Sequence, residues 1–190
     1  MLKIAASRFN RAVQRIAARA RSNRFARAQD GAAALEFALV AAPFLALLFA
    51  IMETAFVFFA SQTLEYAVAQ SSRLILTGQA QTAGFSQAAF KTAVCGNIVA
   101  LFDCSNKLYV NVQNYTNFAS ASTTPVYDSN GQLDTSQMKY QPGTPGDIVV
   151  VSLYYQWPIY VSLFSDNLAN QSGNNRLLVA TAAFRNEPYQ

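Results

Sequence analysis

The chain has 190 residues, of which 52% are hydrophobic, and this length suits one modest folded domain with an appended segment. It contains no histidine and only two cysteines, so it lacks the commonest general base and cannot supply four ligands to a zinc site. The net charge of +4 is unevenly spread, because the first 30 residues carry +7 and the remaining 160 carry −3. The positive charge therefore belongs to a leader, and it gives no reason to expect nucleic-acid binding.

The leader, residues 1–30, is rich in arginine and alanine and carries apolar residues at helical spacing. One interpretation is a basic amphipathic helix that lies on an anionic inner leaflet. The simpler interpretation, which we prefer, is a segment that orients the chain by its charge.

An apolar run follows from Ala32 to Met52, and its one charged residue is Glu36. These 21 residues span about 31 Å as a helix, which is enough to cross a bilayer core. The run is too long for the core of a cleaved secretory signal. The basic leader predicts that the N-terminus is cytoplasmic and that the chain after about residue 60 is exported.

The helix is predicted to continue beyond the membrane, because Ser61–Thr77 contains no glycine or proline and keeps helical periodicity. Gly78 then supplies a left-handed stop. The sequence therefore predicts one helix from about Ala32 to Thr77, apolar in its first half and amphipathic in its second. The apolar stripe of the second half consists of Leu64, Ala67, Val68, Ser71 and Ile75.

The remaining residues predict a small head that covers this outer half of the helix. A linker at 79–84 precedes a shorter helix from Phe85 to about Leu101, and a long loop at 114–146 and a second loop at 163–173 separate the later elements. Strands are expected at 107–113, 147–155 and 176–184. Trp157-Pro158 should end the second strand or place it at an edge of the sheet. A short polar tail follows the third strand. The predicted fold class is α+β: a long transmembrane helix continuing into a head with a second helix and a three- to four-stranded antiparallel sheet.

Cys95 and Cys104 lie nine positions apart, across the exit of the second predicted helix. They form either a free thiol pair or a disulfide, and an exported head favours the disulfide.

The order of leader, Gly31, apolar helix with Glu36 and small head resembles type IV pilins and pseudopilins. The stretches AAALEFALV at 32–40, AVAQSSR at 67–73 and LTGQAQ at 76–81 resemble more closely the TadE-like proteins of the tight-adherence (Tad, Flp) pilus system. The resemblance covers about residues 30–82 and implies a pilin-like fold with no cofactor and no enzymatic activity.

The resemblance also implies processing. A prepilin peptidase of the inner membrane would cut after Gly31, leaving Ala32 as the new N-terminus and Glu36 as the fifth residue. Asp30 is a departure, since many relatives carry a basic residue there. The implied organisation is a cleaved leader at 1–31, the long helix at 32–78 and an exported head at 79–190. The implied partners are the peptidase, other Tad pilins and pseudopilins, the inner-membrane assembly platform and the lipid bilayer.

Two acidic residues of the helix are candidate sites. An isolated Glu36 carboxylate in hydrocarbon costs a few kcal/mol, and we expect it to pair with the Ala32 amine of a neighbouring subunit during assembly. The alternative is a protonated or interfacial carboxyl with a topological role. Glu53 lies 17 residues further on, and we expect it to be exposed near the outer headgroups; the alternative is a helix–helix contact to another pilus subunit.

The leading function is thus a minor pseudopilin that initiates, caps or joins the pilus for surface adherence. The second is an uncleaved single-span inner-membrane protein with a periplasmic binding or sensor domain. The mature N-terminus discriminates them: Ala32 for the first, Met1 or Lys3 for the second. A membrane-anchored enzyme is disfavoured, because the head lacks histidine, a nucleophile motif and an adjacent carboxylate pair.

Overall fold

The computed structural model describes residues 31–98, 102–161 and 168–189, so the predicted leader at 1–30 lies outside the described residues. Within these ranges the helices are α1 (Ala32–Leu76), α2 (Gln79–Thr82), α3 (Gln87–Gly96) and α4 (Cys104–Lys107). The strands are β1 (Leu108–Tyr115), β2 (Ile148–Pro158) and β3 (Asn175–Arg185), and short 3-10 turns lie at Phe118–Ser120 and Thr135–Gln137. The predicted α+β fold is confirmed, with three antiparallel strands among the described residues.

The chain divides into two compact units, of which the first ends at Leu48 and the second begins at Phe49. The described part of the first unit, residues 31–48, is helical from Ala32 onward, and nearly all of its side chains are exposed. Among the described residues α1 is the one helix long and apolar enough to cross a membrane. The predicted apolar N-terminal helix is therefore confirmed.

In the second unit, one stripe of α1 forms the centre of the core. All five predicted stripe residues, from Leu64 to Ile75, are buried, as the helical period requires. Ser72, which the sequence analysis did not place on the stripe, is buried as well, and its hydroxyl donates to the Ala69 carbonyl at 3.1 Å. The helix ends at Leu76, one residue earlier than expected, and Gly78 adopts the predicted left-handed conformation with φ +76°.

The sheet has the order β1-β2-β3, so β2 is central and both pairings are antiparallel. Leu108, Val110 and Val112 of β1 are buried at alternate positions, as a half-buried strand requires. The first eight residues of β2 are all buried, which explains its unbroken apolar sequence. Pro158 is the last residue of β2, where its missing N–H interrupts no further pairing.

Several boundaries differ from the sequence predictions, and the main differences are three. The expected linker at 79–84 contains the short helix α2. Helix α3 begins at Gln87, because the Ser86 hydroxyl accepts from the Ala89 N–H and caps its first turn, and it ends at Gly96. Strand β2 runs three residues further than expected, to Pro158. Residues 99–101 and 162–167, within the predicted second helix and the last predicted loop, lie outside the described residues.

Candidate functional site at the junction of helix and head

Glu53 lies at the point where α1 first packs against the rest of the second unit. Its side chain is only 6% exposed, so the expected exposure of this residue at the interface is wrong. One carboxylate oxygen accepts from the Tyr160 N–H at 2.6 Å and the other from the Val161 N–H at 2.7 Å. Hydrogen bonds to a charged acceptor are short and strong, and these two compensate for removing the carboxylate from water.

Asn174, the residue before β3, holds the segment that supplies these two donors. The Ile159 N–H donates to the Asn174 carbonyl at 3.0 Å, and the Asn174 amide donates back to the Ile159 carbonyl at 2.7 Å. Asn174 has φ +59°, a left-handed conformation that asparagine tolerates. These two hydrogen bonds fix the chain directly after β2, so that the N–H groups of Tyr160 and Val161 both point to the Glu53 carboxylate.

An open groove of about 500 Å³ adjoins the Glu53 carboxylate. One wall is formed by Phe49, Met52 and Phe56 of α1. The facing wall comes from the end of β2 and the segment after it: Tyr155, Trp157, Pro158, Tyr160 and Val161. Besides Glu53, the charged residues of the lining are Asp103 and Lys107, at α4. The lining is mainly apolar, with a cation and an anion contributed by one short helix.

Aromatic packing supports the floor of this groove. The Phe102 ring lies edge-on to Tyr155 and to Trp157, with centroid distances of 4.6 and 5.6 Å. The Tyr155 hydroxyl accepts from the Asp103 N–H at 2.9 Å. Burial raises the pKa of the Tyr155 phenol, and the hydrogen bond from Asp103 opposes that rise.

Cys95 and Cys104 form a disulfide with a Cα–Cα distance of 5.9 Å, which confirms the favoured alternative. The bond joins the last turn of α3 to the first residue of α4. It thereby fixes the position of α4 beside the groove. Asp103, the N-cap of α4, and Lys107, its last residue, both line the groove.

The C-terminal tail is docked onto the far end of α1. The Glu187 N–H donates to the Leu76 carbonyl at 2.9 Å. The Tyr189 ring lies against Gly78 so closely that a Cβ at that position would meet it at 2.2 Å. The Asn186 amide donates to the Pro142 and Thr144 carbonyls at 2.9 and 3.1 Å. Helix α1 is thus tied to the head at Glu53 and again at its last residues.

The other predicted site residues lie together at the start of α1. Gly31 directly precedes the helix, Ala32 is its first residue, and Glu36 follows about one turn later, all three exposed in the single chain. Their roles in cleavage and assembly stay predictions, as does a contact of Glu53 with another subunit. Among the residues that the structure describes, no three acidic, cysteine or histidine side chains cluster as metal ligands do.

Sequence reasoning missed Tyr160, Val161 and Tyr189. The first two act through backbone N–H groups, which leave no residue-type signal. A signal for Glu53 was present, because positions 53, 57, 60 and 64 follow the i, i+4, i+7, i+11 spacing of the buried stripe. Gly78 and Tyr189 have no such pattern that connects them.

The described chain combines one helix long and apolar enough to span a membrane with a small, disulfide-bonded α+β head. The family model described as TadE-like protein matches residues 31–73. The recognition made from the sequence is confirmed over this segment, which begins at Gly31 and includes Ala32, Glu36 and Glu53. The TadE-like family is a family of pilus components. Searches of curated proteins and of solved structures give no match.

Proposed function

We propose that this protein is a minor pseudopilin of the Tad pilus machinery. It is held in the inner membrane by α1 with its N-terminus cytoplasmic and its head periplasmic, and it initiates, caps or joins the pilus. The observation that carries the proposal is the TadE-like match over 31–73 on a helix that runs without a break from Ala32 to Leu76.

Processing is the first step of the proposed function. A prepilin peptidase cuts after Gly31, and the segments at 1–31, 32–78 and 79–190 act as leader, helix and exported head. A glycine before the cut leaves the backbone open to a protease, because it has no side chain. The chemistry belongs to the peptidase, and this chain is its substrate rather than an enzyme.

Assembly is the second step. Cleavage creates a cationic amine at Ala32, and a carboxylate in hydrocarbon needs such a partner. The Glu36 carboxylate pairs with the Ala32 amine of a neighbouring pilin and sets the register between apolar helices. The Glu53 carboxylate is already held by two backbone donors of its own chain. Of these two acids Glu36 is therefore the one available to a neighbour.

The proposal is tested by Glu36→Gln in cells that carry the complete Tad machinery, with Glu65→Gln as the matched control. Glu65 is an exposed acid of the same helix beyond the apolar run. We expect Glu36→Gln to be present in the membrane but absent from cross-linked complexes with other pilins, whereas Glu65→Gln is recovered in them. Normal cross-linking of the Glu36→Gln variant would overturn the role of this carboxylate in assembly.

A further inference from the structure

We propose that the groove beside Glu53 binds one phospholipid of the outer leaflet, with an acyl chain against Phe49, Met52 and Phe56 and the phosphate at Lys107. The inference goes beyond pilus assembly, because it assigns a ligand to a surface of the monomer. It rests on α1 crossing the membrane, and not on cleavage of the leader or on pairing of Glu36.

The position of the groove favours a lipid. Phe49 and Met52 lie in the last turn of the apolar run that begins at Ala32, so this wall continues the surface that faces hydrocarbon. Met52 and Phe56 remain exposed in the folded unit, and Phe56 is 49% exposed. A side chain of this kind is stabilised when an acyl chain covers it.

The facing wall has the composition of a membrane interface. Tyr160 offers most of the aromatic surface of this wall, since its side chain is 80% exposed, whereas Trp157 and Tyr155 line the groove as largely buried rings. Tyrosine and tryptophan favour the headgroup level, because each combines an apolar ring with a polar group. The wall therefore passes from hydrocarbon contact to headgroup contact.

The charged residues of the groove indicate which lipid headgroup it binds. Lys107 lines the groove on the same short helix that Asp103 caps, and an ammonium group is a suitable partner for a phosphate. The nearby Asp103 carboxylate disfavours a second anionic group and suits an amine. A zwitterionic lipid with a phosphate and an amine, such as phosphatidylethanolamine, matches both charges.

A second copy of the chain fits the groove less well than a lipid. If it entered the membrane in the same orientation and at the same depth, it would present its own residues 47–60 at this level. The only charged residue of that stretch is Glu53, which is buried and already bonded. Such a helix would bring no anionic group to Lys107.

The test uses Trp157, the only tryptophan of the chain, as a fluorescent reporter. The full chain is reconstituted in nanodiscs that contain phosphatidylethanolamine brominated along one acyl chain, which quenches a nearby indole. The test variants are Phe56→Gln and Lys107→Ala. The matched control is Phe58→Gln, since Phe58 is exposed, lies two residues away and points about 160° from Phe56 around the helix.

We expect strong quenching in the wild type and in Phe58→Gln, and quenching weakened roughly threefold to tenfold in Phe56→Gln, because the apolar wall is lost. Lys107→Ala should abolish the preference for phosphatidylethanolamine over uncharged diacylglycerol. Far-UV circular dichroism and the intact disulfide verify folding of each variant. Equal quenching in Phe56→Gln and Phe58→Gln would overturn the proposal. Protection of Trp157 as the protein-to-lipid ratio rises would overturn it in favour of a second copy.

Discussion

The Glu53 carboxylate accepts a hydrogen bond of 2.6 Å from the backbone N–H of Tyr160, although 107 positions separate the two residues. This contact joins α1 to the segment that follows the central strand. The next N–H, that of Val161, donates to the other carboxylate oxygen at 2.7 Å, so each of the two oxygens accepts a hydrogen bond within its own chain. The buried acid therefore holds the head on the helix.

Replacing Glu53 should destabilise the head. In Glu53→Gln one oxygen remains as an acceptor, while the new amide N–H₂ faces a backbone donor. We expect a loss of about 1.5–3 kcal/mol in the free energy of unfolding, the usual value for a hydrogen bond to a charged group. Urea unfolding of the full chain in detergent, followed by Trp157 fluorescence, measures the change. Glu65→Gln is the control, with an expected change within about 0.5 kcal/mol. Equal stability of the two variants would show that the carboxylate is not a structural link.

The C-terminal tail gives a second prediction. Gly78→Ala adds a Cβ that would lie 2.2 Å from the Tyr189 ring, at a residue with φ +76°. Gly84 has φ +65° and open space around its Cα, so Gly84→Ala measures the backbone strain alone, about 1 kcal/mol. We expect Gly78→Ala to cost roughly 1–3 kcal/mol more through the clash.

A double-mutant cycle identifies the source of that excess. In a Tyr189→Ala background the ring is absent, and the difference between Gly78→Ala and Gly84→Ala should shrink towards zero. An excess that persists without the ring would contradict docking of the tail on Gly78.

The disulfide gives a third prediction. Replacing Cys95 and Cys104 with serine, which opens the bond that joins α3 to α4, should lower the free energy of unfolding by about 2–3 kcal/mol in the loop-entropy model. Thermal unfolding with and without reductant provides the measurement. Reductant should lower the midpoint of the wild type to that of the double variant and leave the variant unchanged. A wild type that does not respond to reductant would exclude a stabilising bond.

Stability should also depend on pH through Asp147. Its carboxylate accepts from the Thr144 N–H at 2.8 Å and from the Thr144 hydroxyl at 2.9 Å, and these bonds lower its pKa. A carboxyl whose pKa is lower in the folded state stabilises the fold above its unfolded pKa of about 3.9. This contribution is lost as the pH falls through the folded pKa.

Asp147→Asn should therefore reduce the loss of stability between about pH 5 and about pH 2. The urea midpoint at each pH is the measurement, and Thr144→Val, which removes only the hydroxyl donor, should give an intermediate result. If the urea midpoint falls with pH as steeply in both variants as in the wild type, Asp147 is not a source of the pH dependence.

These features differ in how far the sequence predicts them. The period of 3.6 residues places Leu64 and Ile75 on one face of α1 without knowledge of what covers that face. The alternation of Leu108, Val110 and Val112 does the same for β1. The partners of Glu53 and Gly78 follow from tertiary packing over more than 100 residues, and they involve backbone N–H groups or a tail of polar composition. Local patterns contain no information about such contacts.

The most direct test of the proposed function is the intact mass of the protein recovered from membranes of cells that contain the Tad prepilin peptidase. We expect a chain that begins at Ala32, with a mass two units below the fully reduced value because Cys95 and Cys104 are bonded. A chain that still begins at Met1 in those cells would contradict it and favour the uncleaved single-span protein.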